Sequence, residues 1–94
     1  MSTYIAPLRD MQFILNEVAG LAEVCALPGN EECSVDLVES ILDEASKFAT
    51  GVLDPINRAG DTTGSVCKDG VVTTAPGFKD AYWQYVNAGW GNIL

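Results

Sequence analysis

Thirteen carboxylates, three cysteines and a group of four aromatic residues are the side chains here with chemistry to offer, and there is no histidine. Without histidine the chain lacks the commonest general base and the commonest zinc ligand. Asp36, Glu39 and Asp43 fall at helical spacing and could be imagined as an acid–base pair. Nothing in the pattern around them would desolvate one carboxyl and raise its pKa, so they read as a solvated face. Asp61-Thr62-Thr63-Gly64-Ser65 places oxygens at alternate positions, as a calcium loop does. The likeness ends at its sixth position, where Val66 replaces glycine, and at its twelfth, where Val72 replaces glutamate. Gly60, Gly64, Gly70 and Gly77 match neither a P-loop nor a dinucleotide fingerprint and read as turn glycines. Cys25, Cys33 and Cys67 form no C-x-x-C pair, and their odd number argues against a disulfide framework. They are expected to be small buried thiols in a reducing compartment. No catalytic, cofactor-binding or metal-binding residue emerges from these patterns.

The elements that carry these residues follow from periodicity. Met11, Ile14, Leu15, Val18, Leu21 and Ala22 recur at spacings of three and four, which predicts a first helix weakened or bent at Gly20. Pro28-Gly29-Asn30 then breaks the chain. Ser34 is the expected N-cap of a long helix, with Asp36 in its first turn. Val38, Ile41, Leu42, Ala45, Phe48, Ala49, Val52 and Ile56 hold one apolar stripe along it. Asp43 precedes Lys47 by four residues, the favourable order for a surface ion pair. Pro55 should kink this helix or end it near Asp54, leaving a last turn over residues 56–59.

Asp69-Gly70, set between Val66-Cys67 and Val71-Val72-Thr73, predicts a short β-hairpin inside a glycine-rich loop. A third helix is expected from Phe78, with Ala81, Tyr82, Trp83, Tyr85 and Val86 on its surface and Gly89 as its stop. The fold class expected is all-α: three main helices with a glycine-rich loop or short hairpin.

Composition limits the functions open to such a domain. The formal net charge is −8, a sign that repels phosphate backbones and argues against nucleic-acid binding. Hydrophobic residues make up 48% of the chain and charged residues 19%, a balance that folds. Arg9, Asp10 and Glu17 interrupt any signal peptide, and no apolar run approaches the ~20 residues of a membrane span. A cytoplasmic location is expected. Tyr82, Trp83, Tyr85 and Trp90 crowd into nine residues before the chain closes on Gly91-Asn92-Ile93-Leu94. So much aromatic surface predicts an interface or a domain that continues beyond Leu94.

Five stretches, in this order, resemble the N-terminal helical region of acyl-CoA dehydrogenases. They are Tyr4-Ile5-Ala6-Pro7-Leu8-Arg9-Asp10-Met11 with Phe13; Ile41-Leu42-Asp43-Glu44-Ala45-Ser46-Lys47-Phe48-Ala49; and Val52-Leu53-Asp54-Pro55-Ile56-Asn57-Arg58-Ala59-Gly60-Asp61. Gly70-Val71-Val72-Thr73-Thr74-Ala75-Pro76-Gly77-Phe78-Lys79 and Ala81-Tyr82 through Ala88-Gly89-Trp90 complete the set. The chain is most similar to the long bacterial subgroup with an extra N-terminal segment, which includes methylthiopropionyl-CoA dehydrogenase-like proteins. Thr50-Gly51 departs from the glutamate common there, and residues 24–34 match loosely.

The resemblance implies that residues 1–34 are the extension helix and turn, and that 35–94 are the first part of an incomplete helical domain. It implies FAD and an acyl-CoA substrate for the complete enzyme, in which a glutamate removes the α-proton while the flavin takes a hydride from the β-carbon. That glutamate and most flavin contacts belong to later domains, so no catalytic role transfers to a residue here. The chain alone is expected to hold no flavin. Its partners would be the remaining domains of the parent enzyme and, in a homo-oligomer, further subunits, with Trp90 the first choice for burial against them. A free-standing acidic helical module that binds another protein is the alternative.

Overall fold

In the computed structural model, which describes residues 3–93, the chain is mostly helical and carries one two-stranded antiparallel sheet. It divides into two compact units, Tyr4–Ala49 and the residues from Thr50 onward.

In the first unit the expected leading helix is broken in two. Helix α1 spans Leu8–Phe13, a π-turn covers Ile14–Val18, and helix α2 spans Leu21–Cys25. Gly20 stands between them with φ +69°, a left-handed conformation that ends helical propagation and suits a residue without Cβ. The π-turn closes i→i+5 bonds, as in Ala19 N–H to the Ile14 carbonyl at 2.8 Å, and so shifts the register of the helix surface. The expected stripe is rotated as a result. Leu8, Met11 and Leu15 are half-buried, whereas Ile14 and Val18 stand in solvent.

Helix α3, Val35–Phe48, is the longest element, and both α1 and α2 pack against it. Ser34 caps it as expected, its Oγ accepting the Leu37 N–H at 3.1 Å. Val35, Val38, Leu42, Ala45 and Phe48 form its half-buried stripe; Ile41, expected among them, is exposed. On the wet side Lys47 Nζ reaches Asp43 at 3.1 Å and Glu44 at 3.0 Å. The two carboxylates hold the Lys47 ammonium above its ordinary pKa, first through the Glu44 hydrogen bond and then through Asp43.

The cysteines correct the sequence reading. Cys25, at the end of α2, is bonded to Cys33, one residue before the α3 cap, with the Cα atoms 5.0 Å apart. Cys67 is free and exposed. An odd count excludes a framework in which every cysteine is paired, but it leaves room for one bridge and one thiol. The Pro28-Gly29-Asn30 turn supplies the bridge by folding the chain back. Asn30 Nδ2 donates to the Val24 carbonyl at 2.8 Å, and the Cys33 N–H reaches the Asn30 carbonyl at 2.9 Å.

The second unit opens within a π-turn, Ala49–Leu53, which leads into helix α4, Asp54–Thr62. Pro55 starts this helix instead of ending one, because a proline in the first turn has no amide bond to lose. The helix therefore runs past the expected stop at Ala59, and Thr62 Oγ1 donates to the Arg58 carbonyl at 2.9 Å. Strands β1, Val66–Lys68, and β2, Val71–Thr73, pair with Cys67 opposite Val72. Asp69 (φ +52°) and Gly70 (φ +78°) both lie in the left-handed region, as a two-residue I′ turn requires. Helix α5 spans Phe78–Asn87, and a 3-10 turn, Trp90–Ile93, follows Gly89. Ala75 and Ala81 are the buried hydrophobic residues among those described.

Candidate functional site

Concavity in the second unit arises where the end of the hairpin meets the start of α5. Two glycines allow the close packing behind it. A Cβ on Gly60 would lie 2.6 Å from Phe78 Cζ, and one on Gly77 would lie 2.7 Å from Ile56 Cγ2. Helix α4 thus meets the α5 N-terminus through positions that admit no side chain. Gly60 was expected in a turn; it lies within α4, and its function there is this contact. Gly64, Gly70 and Gly77 do adopt positive φ, as turn glycines should.

Val72, Thr74, Phe78, Lys79 and Tyr82 line the resulting open hollow, about 490 Å³ in volume. Its surface is mainly apolar. Val72 and Tyr82 are well exposed, and Lys79 contributes a single cation. The Tyr82 and Trp83 rings meet edge to face, with centroids 5.4 Å apart at 77°. Tyr85 and Val86 extend the exposed aromatic and aliphatic surface along α5. Trp90, the first choice for burial against further domains, is half-buried in the turn that packs on α5.

The hollow offers mainly apolar contact: no thiol or carboxylate lines it, and Thr74, Lys79 and Tyr82 are its polar side chains. Lys79 is the one cation in the lining for the two phosphates of a flavin dinucleotide. These residues do not fit FAD. The calcium-like stretch does not form a loop, because Asp61 and Thr62 belong to α4. Among the described residues no group of three or more His, Cys, Asp or Glu side chains could hold a metal ion. No helix among them is long and apolar enough to cross a membrane.

The acidic candidates on α3 are not brought together. Asp36 and Glu39 are exposed, while Asp43 is engaged by Lys47. Sequence reasoning missed the hollow itself. Its signal was present in Gly60 and Gly77, whose spacing from Phe78 and Ile56 becomes meaningful only once α4 and α5 are placed.

No protein-family model matches the chain. Among curated proteins it is similar to 3-methylmercaptopropionyl-CoA dehydrogenase of Ruegeria pomeroyi (strain ATCC 700808 / DSM 15171 / DSS-3), at 33% identity over 91 residues. The matched segment takes in 97% of this chain and 16% of that protein. The resemblance to an acyl-CoA dehydrogenase expected from the residue stretches is therefore found, and the chain spans about one sixth of the relative's length.

Proposed function

We propose that this chain is the N-terminal helical part of an FAD-dependent acyl-CoA dehydrogenase, with a structural role and no catalytic residue of its own. The observation that carries this reading is the 33% identity sustained over 91 residues with a protein about six times longer. The parent enzyme would introduce an α,β double bond into an acyl-CoA thioester. Its flavin would supply the redox step, and domains outside this chain would supply the base and the flavin cradle. The residues here cover and pack. The hollow at Val72, Phe78 and Tyr82 and the exposed face of α5 suit burial against another apolar surface. The remaining domains of the enzyme are that surface in this reading, and further subunits of a homo-oligomer its extension. A cytoplasmic location goes with this assignment.

Expression of the complete reading frame tests the proposal. A yellow protein that reduces an electron-acceptor dye in the presence of an acyl-CoA is expected, and the 94-residue chain alone should be colourless and inactive. A reading frame that encodes no further domain would reject the dehydrogenase reading in favour of a free-standing interaction module. Flavin retained by the 94-residue chain would overturn the assignment of a purely structural role.

A further inference from the structure

The Cys25–Cys33 bond is local, and what it constrains can be separated from what it does not. It closes a turn across a sequence separation of eight, between the last residue of α2 and the residue before the Ser34 cap. Helix α3 does not depend on it, because Ser34 Oγ caps α3 separately and its apolar stripe lies further along. Helix α2 has less to hold it: its five residues are too few to be stable alone, none is fully buried, and beyond the bond it has its packing on α3 and the first π-turn. The other ties across the turn are Asn30 Nδ2 to the Val24 carbonyl, Gly29 N–H to Glu31 Oε1, and backbone bonds at Asn30 and Cys33. The two side-chain ties are exposed to water. Both cysteines are half-buried, which leaves part of each residue open to a small thiol.

We propose that the Cys25–Cys33 bond is a redox-reversible clasp, closed by a small disulfide and opened by a dithiol, that switches α2 and the 26–32 turn between ordered and frayed states while α3 persists. In opening, a thiolate of the dithiol attacks one sulfur to give a mixed disulfide and releases the other cysteine as a thiolate. The second thiol of the reagent then displaces the remaining cysteine, leaving two protein thiols and an oxidised, cyclic reagent. Closing reverses the exchange with oxidised glutathione, which leaves as two molecules of glutathione. The inference is independent of the dehydrogenase reading, since it rests on the first unit alone.

The test uses the full chain carrying Cys67→Ser, so that the free thiol cannot exchange into the pair. The protein is equilibrated with oxidised glutathione or with dithiothreitol, alkylated, and weighed by mass spectrometry. In parallel it is digested with a glutamyl endopeptidase, which cuts after Glu31 and Glu32. The expected result is no alkylation after oxidation and two alkylated cysteines after reduction without denaturant. Reduction should also raise cleavage at Glu31 and Glu32 about tenfold or more, the scale of the lost loop constraint. Hydrogen exchange within 38–48 should stay unchanged. A second variant, Cys25→Ser with Cys67→Ser, should be cut at the reduced rate with or without dithiothreitol. Two free thiols after oxidation would overturn the proposal, as would a bridge that opens only in urea or a cleavage rate indifferent to reduction.

Discussion

At single residues the tightest constraints are glycines whose missing Cβ makes room for a neighbour. Gly77 combines φ +87° with a would-be Cβ 2.7 Å from Ile56 Cγ2, so Gly77→Ala meets backbone strain and a packing clash together. It should lower stability by about 2–4 kcal/mol. Gly60→Ala has no backbone penalty within α4, but its methyl would stand 2.6 Å from the Phe78 ring. A loss of about 1–3 kcal/mol is expected, offset in part by better helix propensity. Denaturant titrations of both variants check the order, with Gly77→Ala the worse. Glu31 gives a pH-dependent counterpart. Its carboxyl is held below the ordinary carboxylate range by its own backbone N–H and then by that of Gly29, 3.1 Å away. A lowered folded pKa contributes stability that is complete above the unfolded value and fades as pH falls through the folded one. The Gly29 amide should therefore exchange faster on acidification than intrinsic chemistry predicts, and Glu31→Gln should remove that dependence. Amide exchange followed from pH 6 to pH 2, a span chosen to bracket the usual carboxylate range of roughly 4, reads both.

At the level of elements, what the sequence shows depends on how far the determining interaction reaches. The hairpin is legible because Asp69-Gly70 encodes its own I′ turn, and the α3 start is legible because Ser34 binds an amide three residues away. The π-turns at Ile14–Val18 and Ala49–Leu53 are not. Apolar residues at spacings of three and four fit a continuous α-helix equally well, and one inserted residue per π-turn shifts the register without altering composition. Pro55 signalled an interruption correctly, yet the chain accommodates it by beginning α4 there. The cysteine pairing was hidden for a related reason, because counting thiols does not reveal which turn brings two of them together. Gly51 lies in the second π-turn with no positive φ, and nothing stands within 4 Å of a Cβ placed on it. Gly51→Ala should accordingly stabilise the chain by about 0.4–1 kcal/mol, chiefly by restricting the unfolded state. Ser34→Ala should cost about 1 kcal/mol through loss of the α3 cap. Thermal unfolding by circular dichroism would show the two shifts in opposite directions.

For the whole molecule the decisive quantity is how little large side-chain surface is fully covered. The residues buried as a hydrophobic core are two alanines, Ala75 and Ala81, while Phe13, Ile14, Val18, Leu27, Val71, Val72, Tyr82 and Trp83 remain at least half exposed among those described. A buried alanine contributes far less than a buried leucine or phenylalanine, each worth about 1.5–3 kcal/mol. Small domains already sit near the limit of independent stability. The charge of −8 opposes association, yet its carboxylates gather on helix surfaces such as that of α3 and leave α5 uncharged beyond Lys79 and Asp80 of its first turn. Screening with salt should remove the repulsion between chains and leave the apolar attraction intact. The isolated 94-residue chain should therefore self-associate, with an apparent mass above 10.0 kDa that rises with protein concentration and with added sodium chloride. It should also bind a hydrophobic dye that the complete protein does not. Replacement of Tyr82 and Trp83 by glutamate should reduce both effects, because that change places charge on the face expected to meet the rest of the enzyme. Light scattering across a concentration series makes the comparison. A sharply unfolding monomer, unchanged by salt, would show that the exposed apolar residues require no partner, and would favour the free-standing module over a part of a larger enzyme.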